Sequence, residues 1–144
     1  MAVAAVLQHK GGHVSTIRSI DGVEAAIRKL YDERIGALVV VDRWGKLAGM
    51  LSERDVIWSL AQHGAEGLSF EVHEVMTPDV TTCTPEDRID DVMQTMTAHR
   101  IRHLPVMEEG RLVGLVSMGD LVKQRLEEKK QEAAVLQDIM RVRR

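Results

Sequence analysis

The sequence has few aromatic residues and almost no cysteine. Aromatic side chains make up 3% of its 144 residues, and Cys83 is the single cysteine. Scarce aromatics exclude the platforms on which the bases of single-stranded nucleic acid stack. One cysteine excludes an intrachain disulfide, which suits a reducing compartment, and the scattered histidines argue against a zinc site. We expect Cys83 to be an inert, buried strand residue.

Long apolar runs and a basic surface are missing as well. No run reaches the roughly 20 apolar residues that cross a bilayer, and the apolar N-terminus is too short for a signal peptide. The net charge is -3, with both signs mixed along the chain, and the basic end with Arg141, Arg143 and Arg144 is typical of a helix terminus. We expect a cytoplasmic protein with no membrane or nucleic-acid partner.

Signatures of catalysis are missing too. The chain has no Walker-type phosphate loop, no Gly-x-Gly-x-x-Gly turn and no convergent set of nucleophile, base and metal ligands. The eight methionines are typical of core filling. A small enzyme is therefore the least favoured function, and no metal or catalytic cofactor is expected.

An internal repeat organises nearly the whole chain. Residues 14–16 (VST) recur at an offset of 66 positions as residues 80–82 (VTT). One extra turn residue in the first copy then changes the offset to 65, which aligns Gly49 with Gly114. A repeat of this length indicates two copies of one supersecondary unit, each too small to bury its sheet alone.

Each copy has the pattern strand, helix, strand, strand, helix. The first helix has apolar residues spaced by three and four, and Asp21 with Glu24 forms a capping-box pattern. Its counterpart begins at Thr84, which can cap, followed by Pro85 at the first helical position. The continuous apolar run of residues 37–41 indicates a strand buried on both faces. In the first copy the predicted elements are a strand at 14–17, a helix at 21–34, strands at 37–41 and 46–51, and a helix from 53 to about 61.

This pattern predicts an α+β fold in which two β-α-β-β-α repeats pack about a pseudo-twofold axis, followed by a long C-terminal helix. We expect residues 1–66 to hold the first repeat with an N-terminal segment, residues 67–126 the second repeat, and residues 127–144 a helical extension. An apolar stripe with heptad spacing along the last helix predicts a homodimer, with the repeats forming the main interface. The alternative is that the stripe folds back onto its own domain. The stripe consists of Val122, Leu126, Lys129, Ala133, Leu136 and Met140, with Lys129 as a polar break.

Two stretches in each copy carry a family resemblance. They are residues 35–42 (IGALVVVD) with 45–55 (GKLAGMLSERD), and residues 101–107 (IRHLPVM) with 110–120 (GRLVGLVSMGD); residues 75–78 (VMTP) lead into the second copy. These stretches resemble the CBS domain, over about residues 6–126.

The resemblance implies a regulatory module with two clefts between its repeats. Such clefts commonly hold AMP, ADP, ATP, S-adenosylmethionine or NAD-type ligands. It implies a non-enzymatic sensor of an adenine nucleotide that acts on an unidentified regulated protein. The alternative is an interaction scaffold whose clefts no longer bind anything.

Two Ser-x-x-Asp motifs supply the main candidate binding residues, Ser52 with Asp55 and Ser117 with Asp120. In the resemblance, the carboxylate accepts both ribose hydroxyls while the serine and the amides at the helix start face the phosphate. The same spacing is also a capping box that needs no ligand. The two roles are compatible, and both stay open at the level of the sequence.

A second set of candidates makes the two clefts chemically unequal. Arg102 and His103 stand where the first copy has Gly36 and Ala37. The resemblance places basic residues here that reach phosphates, for which the planar fork of arginine is suited. The alternative is a surface arginine beside a histidine at the edge of the core.

The residues inside the two motifs differ as well. Arg54 of the first copy is matched by Gly119 of the second, which follows Met118. A glycine there lets a ligand approach the backbone closely, whereas Arg54 would partly replace the missing basic pair. We therefore expect the second copy to bind a nucleotide better than the first.

The remaining candidates are strand residues. Thr16 and Thr82 close the predicted first strand of each copy, where the resemblance places a hydroxyl and backbone groups against the ligand. Threonine also suits a strand without any ligand, and this is the favoured interpretation. Pro105 lies inside an apolar run, which predicts an edge position or a bulge, because proline cannot donate to a sheet ladder.

Overall fold

The structure, a computed structural model, describes residues 1–142, so Arg143 and Arg144 of the predicted basic end lie outside the described residues. Within that range, no helix combines the length and the apolar character needed to cross a membrane. A 3-10 helix at Gly64–Ser69 links the two repeats. The other elements in chain order are α1 (Val3–Lys10), β1 (Thr16–Arg18), α2 (Val23–Glu33), β2 (Ala37–Val41), β3 (Leu47–Ser52), α3 (Glu53–His63), α4 (Val72–Val75), α5 (Ile89–His99), β4 (His103–Glu108), β5 (Arg111–Ser117) and α6 (Met118–Val142).

The first repeat is a three-stranded sheet in the order β1-β2-β3, packed against α2 and α3. The central strand β2 runs parallel to β1 and antiparallel to β3. The strand predicted at residues 37–41 is confirmed as β2 and is buried on both faces. Leu38 and Val40 join the core under the helices, whereas Ala37 and Val39 face the other repeat.

The predicted capping box of Asp21 and Glu24 at the start of α2 is wrong. The N-cap residue is Gly22, and the Asp21 carboxylate instead accepts hydrogen bonds from the backbone N–H and the guanidinium of Arg18, both at 3.0 Å. Burial alone would raise the pKa of Asp21, but the bonds from Arg18 outweigh it and leave that pKa lowered. Asp21 therefore closes the turn between β1 and α2.

The first strand of each repeat is shorter than predicted. β1 covers Thr16–Arg18 rather than residues 14–17, and its counterpart in the second repeat is a single parallel bridge between Cys83 and Val106. The Cys83 N–H donates to the Pro105 carbonyl at 3.0 Å. The second sheet therefore has two antiparallel strands, β4 and β5, with this bridge beside them. The α+β class with two related repeats and a long C-terminal helix is confirmed.

The predicted start of the second repeat's first helix is also wrong. That helix, α5, begins at Ile89, well after Thr84 and Pro85. The Thr84 N–H donates to the Asp87 carboxylate at 2.9 Å, and the Asp87 N–H donates to the Thr84 carbonyl at 3.2 Å, which closes a separate turn before the helix. The Pro85 carbonyl accepts from the Ala4 N–H at 2.9 Å, so this turn holds the N-terminal segment of the chain.

The helices that precede the two repeats are exchanged between them. α1 contributes Val3 and Val6, exposed by 0% and 3%, to the core of the second repeat. α4 contributes Val72 to the core of the first repeat. The N-terminal segment, assigned by chain order to the first repeat, therefore packs in the second, and the division after residue 66 stays a prediction.

An apolar layer fills the space between the two sheets. Ala37, Val39 and Met50 of the first repeat pack in one cluster with Leu115 of the second. Positions that a helix does not cover in one repeat are therefore covered by the other repeat. This mutual covering, together with the exchanged helices, is the packing expected of two repeats related by a pseudo-twofold axis.

Two equivalent glycines allow the exchanged segments to cross β3 and β5. A Cβ atom added at Gly49 would lie 2.7 Å from the Thr77 carbonyl oxygen, and one added at Gly114 would lie 2.5 Å from Leu7 Cδ2. The first obstacle is backbone, fixed by two hydrogen bonds between Thr77 and Met50 at 2.8 and 2.9 Å. The second is the end of a flexible side chain, which can turn away.

This difference predicts unequal costs for the same substitution. We expect Gly49→Ala to lower the free energy of unfolding by about 1–3 kcal/mol, because overpacking against fixed backbone forces a shift of the chain. Gly114→Ala should cost less, since Leu7 can adopt another rotamer. Urea denaturation of the two variants checks this, and equal losses would contradict the fixed role of the Thr77 backbone.

The C-terminal helix leaves the domain after residue 128. Leu121 and Gln124 are buried and Glu128 is half-buried, whereas every residue from 129 to 142 is exposed. Leu136 and Met140 of the predicted heptad stripe are 60% and 66% exposed. The alternative that the stripe folds back onto its own domain is therefore wrong, and an apolar surface stays open to solvent.

Candidate functional site

The end of β5 and the start of α6 bring five of the predicted residues together. The Ser117 N–H donates to Asp120 Oδ2 at 2.9 Å, and the Asp120 N–H donates to Ser117 Oγ at 3.0 Å. Beside this capping box, the Met118 N–H donates to the Arg102 carbonyl at 2.8 Å, and His103 pairs with Ser117 in the β4–β5 ladder. These five residues are named the second cleft.

A lysine that the sequence did not single out also reaches the second cleft. Lys10, at the end of α1, places its Nζ atom 2.6 Å from Asp120 Oδ2 and 2.8 Å from the Leu115 carbonyl oxygen. Burial by itself would raise the pKa of Asp120, but the bonds from Lys10 and Ser117 outweigh it and hold that pKa below its ordinary value. Asp120 is therefore a carboxylate at neutral pH.

His103 joins the second cleft to the first repeat. A Cβ atom added at Gly36 would lie 3.5 Å from His103 Cε1 and 3.6 Å from Glu53 Oε1. Burial lowers the pKa of His103, Lys10 and Arg102 lower it further, and the carboxylates of Asp120 and Glu53 oppose them. His103 is therefore a neutral imidazole near neutral pH, set between charges of both signs.

The matching group in the first repeat, named the first cleft, consists of Gly36, Ala37, Ser52 and Asp55. The Ser52 N–H donates to Asp55 Oδ2 at 2.9 Å, the Asp55 N–H donates to Ser52 Oγ at 3.3 Å, and Ala37 pairs with Ser52 in the ladder. Asp55 Oδ1 accepts from the Thr77 hydroxyl at 3.2 Å. The carboxylate of the first cleft thus meets a neutral hydroxyl where Asp120 meets an ammonium group.

Arg54 contacts the second repeat and a neighbouring aromatic ring. Its Nη1 atom donates to the Arg100 carbonyl at 3.4 Å, and its guanidinium lies 5.8 Å from the ring centroid of Trp58. The compensation expected of Arg54 stays a prediction. Its charge instead faces the second repeat.

Gly119 lies on an open side of the second cleft. It is exposed, and a Cβ atom added there would meet only Ser117 Oγ, at an ordinary contact distance of 3.7 Å. The fold itself therefore does not require glycine at this position. The space over the backbone at the start of α6 is accessible to a ligand.

The predicted strand residues are less clearly placed in the clefts. The Thr16 carbonyl accepts from Lys29 Nζ at 2.6 Å, which occupies it within the first repeat. Thr82 lines a cavity of about 180 Å³ against α5, and neither Ser117 nor Asp120 lines that cavity. Pro105 is buried opposite Leu115 in the ladder, next to a register shift and beside the single Cys83 bridge.

The two predictions for Pro105 and Cys83 hold. A bulge between Val106 and Met107 lies one residue beyond Pro105. The first repeat has the same irregularity between Val40 and Val41, where no proline is present, so the bulge is a feature of both repeats and is not caused by the proline. Cys83 is a buried free thiol. Burial, with a smaller contribution from Asp87, raises the pKa of Cys83 to about 12, which makes the thiol unreactive at neutral pH.

Three residues near the clefts were missed by the sequence reasoning: Lys10, Glu53 and Thr77. Extending the offset of 66 residues backwards would have aligned Lys10 with Met76, directly before Thr77. That alignment places Lys10 in the segment leading into its repeat, but it gives no sign that the segment crosses to the other repeat.

The motifs and the fold agree with a single family. A model of the CBS domain matches the chain twice, at residues 12–62 and 72–127. The protein belongs to the CBS-domain family. Its two family matches correspond to the two repeats described above, each with its own Ser-x-x-Asp cap.

Three similar proteins place the chain within that family. A CBS-domain-containing protein of Agrobacterium tumefaciens has a crystal structure with 39% identity and a TM-score of 0.84, covering 86% of this chain and 92% of that one. A mitochondrial CBS-domain-containing protein of Arabidopsis thaliana is 36% identical over 78% of this chain, but the match spans only 56% of its own length. The CBS domain pair of protein MJ0100, 28% identical with a TM-score of 0.76 over 90% of this chain and 98% of that one, was solved with 5′-methylthioadenosine and S-adenosyl-L-methionine.

The lowered pKa of His103 predicts a pH-dependent stability. The unfolded chain binds a proton at this histidine more readily than the folded chain, so the free energy of unfolding should fall as the pH drops below about 6.5. The contribution of one proton is at most about 1.4 kcal/mol per pH unit. Denaturation of wild type and His103→Gln between pH 7.5 and 5 measures it, and the variant should show the flatter slope.

The exposed His99 provides the control. His99→Gln removes an imidazole outside both clefts, so a flatter slope found only in His103→Gln assigns the effect to His103. Parallel curves for wild type and His103→Gln would mean that His103 has no buried neutral form.

Proposed function

We propose that this protein is a non-enzymatic regulatory module that binds an adenine nucleotide, with the second cleft as its stronger site. The observation that carries the proposal is the arrangement around Asp120. Both Ser117 and Lys10 bond to its Oδ2 atom, and within residues 1–142 no group bonds to its Oδ1 atom. A charged carboxylate oxygen therefore stays free to accept hydrogen bonds beside a cationic surface.

The groups around Asp120 are suited to the ribose and to the phosphate of a nucleotide. Asp120 Oδ1 would accept from ribose hydroxyls, because a carboxylate is an acceptor at every lone pair. Arg102 and Lys10 carry positive charge close to His103, and the exposed residue Gly119 lies in the first turn of the 25-residue helix α6. Cations and a helix N-terminus both favour an anion such as a phosphate.

The ligand class is supported by a relative as well as by the residues. The CBS domain pair of protein MJ0100 was solved with two adenosine compounds. Adenosine carries the ribose hydroxyls from which Asp120 would accept hydrogen bonds. We propose AMP, ADP, ATP or an NAD-type nucleotide as the regulatory ligand of this chain. Binding would be signalled to an unidentified protein in the cytoplasm.

The scaffold alternative has one observation in its favour, and it concerns the first cleft. Both oxygens of Asp55 are occupied, Oδ2 by Ser52 and Oδ1 by Thr77. A ligand there would have to share Oδ1 with the Thr77 hydroxyl, whereas Asp120 Oδ1 accepts no bond from any group within residues 1–142. We therefore propose that the first cleft binds weakly or not at all, and that the module has one main site.

Titration with AMP tests the proposed function. We expect Asp120→Ala to lose more of the AMP-induced rise in melting temperature than Asp55→Ala, because Asp120 alone offers a free carboxylate oxygen. A ligand at about 100 times its dissociation constant stabilises a fold by about 2.7 kcal/mol, which gives a clear shift in the wild type. Each variant is compared with its own ligand-free form, since loss of either cap costs about 1 kcal/mol.

The sugar of the ligand supplies the second arm of this test. Without its 2′-hydroxyl, 2′-deoxy-AMP leaves part of the carboxylate unpaired, which should weaken binding by roughly 1–3 kcal/mol. Absence of any shift with AMP, ADP, ATP, NAD and S-adenosylmethionine would favour the scaffold. A full shift in Asp120→Ala that is lost in Asp55→Ala would reverse the assignment of the two clefts.

We also propose that the module is a homodimer. Ile57 of α3 and Val122 of α6 occupy equivalent positions in the two repeats and are 62% and 39% exposed. Leu126, Leu136 and Met140 extend this apolar surface along α6, with exposures of 59%, 60% and 66%. Large apolar side chains exposed along one helix in this way favour an interaction face.

Light scattering at micromolar concentration checks the assembly. We expect the full chain to be dimeric and a chain ending at Glu128 to dissociate more readily, since residues 129–142 are exposed and contribute nothing to the buried core. The variant Leu136→Glu should have the same effect without shortening the chain. A monomeric full chain would contradict the dimer, and an unchanged shortened dimer would contradict only the role of α6.

A further inference from the structure

The charge on Lys10 distinguishes the two clefts more than any other feature of the caps. In the first repeat the Met50 carbonyl accepts from the Thr77 backbone N–H at 2.8 Å, and the Thr77 hydroxyl bonds to Asp55. In the second repeat a single ammonium group, that of Lys10, replaces both donors. It bonds to the Leu115 carbonyl and to Asp120 at the same time.

Lys10 is held in that place by the fold. Its helix α1 is fixed in the core of the second repeat by Val3 and Val6. Backbone bonds from Val3 and Ala4 to the turn before α5, at 2.8 and 2.9 Å, fix it further. The Lys10 side chain is 35% exposed and that of Asp120 is 26% exposed, so the ion pair is partly open to solvent and a ligand can reach it.

The cation would respond differently to ligands of different charge. An uncharged ribose compound on Asp120 must share the carboxylate with Lys10 and offers the ammonium nothing in return. A phosphate offers the same ammonium a second anionic partner through a charge-assisted hydrogen bond. A sulfonium or other cationic ligand would be repelled by Lys10 and by Arg102.

We propose that Lys10 is a specificity-determining residue that makes the second cleft select anionic adenine nucleotides over uncharged or cationic adenosyl compounds. This inference rests on the proposed function, because it requires that an adenosine compound binds at Asp120. It adds that the selection depends on one ammonium group. That group belongs to α1, the helix that precedes the first repeat in sequence and packs in the core of the second.

Isothermal titration with AMP and with 5′-methylthioadenosine tests the inference. Both compounds carry adenine and the two ribose hydroxyls, and they differ at C5′, where AMP has an anionic phosphate and 5′-methylthioadenosine has an uncharged methylthio group. We expect Lys10→Met to reduce the ratio of AMP affinity to 5′-methylthioadenosine affinity about tenfold, the effect of one partly exposed charged hydrogen bond. S-adenosylmethionine should gain affinity in the same variant.

Three further variants keep the result interpretable. Lys10→Arg keeps the positive charge and should restore most of the wild-type ratio. Lys46→Met removes one positive charge from an exposed turn of the first repeat and should leave the ratio unchanged. Lys10→Gln keeps a donor for the Leu115 carbonyl, so it should show the same loss of selection as Lys10→Met even if Lys10→Met is poorly folded.

The outcomes separate the inference from the proposed function. An unchanged ratio in both Lys10→Met and Lys10→Gln, with AMP still bound, overturns the role of Lys10 and leaves the nucleotide module standing. A wild-type chain that binds neither compound overturns both. A ratio that falls equally in Lys46→Met would assign the selection to net charge and would also overturn the role of Lys10.

Discussion

Ala37, Val39 and Met50 of the first repeat reach Leu115 of the second because helices cover only one face of each sheet. The inner face of β2 would otherwise expose apolar side chains to water, at a cost of about 1.5–3 kcal/mol for each large one. Each repeat therefore completes its burial with the other. The positions of the clefts follow from this contact, since His103 of one repeat lies against Gly36 of the other.

The exchange of α1 and α4 also makes each repeat depend on the other for its core. Each short helix fills the core of a repeat and then crosses its last strand, at Gly114 or at Gly49. At both crossings the next residues of the segment reach the carboxylate of a Ser-x-x-Asp cap. Packing that serves the core therefore also decides which donor each carboxylate receives.

The two repeats share a backbone plan but differ in charge. One carboxylate receives a hydroxyl from Thr77, and the other receives the ammonium group of Lys10. Around the second carboxylate, Arg102 and a neutral His103 add polar and cationic groups that have no counterpart at Gly36 and Ala37. A duplicated unit with unequal clefts can keep one for packing and use the other for a ligand.

Much of the fold was determined by the sequence alone. The repeat, the strand at residues 37–41 and both Ser-x-x-Asp caps follow from local pattern, because apolar runs and capping spacings act over only a few residues. The caps predicted at Asp21 and at Thr84 were wrong for a related reason. In each place the carboxylate of Asp21 or Asp87 bonds to the backbone N–H three residues earlier and closes a turn, and the helix begins only two residues after that carboxylate.

Only the tertiary structure decided what surrounds the two carboxylates. Lys10 and Asp120 are 110 residues apart, and no spacing rule joins them. The approach of Thr77 to Asp55 and of Gly36 to His103 likewise depends on segments that cross from one repeat to the other. Such contacts are set by how the two cores pack against each other. The free energy of that packing comes from many apolar side chains, and the identity of these side chains does not predict which polar residues meet at the site.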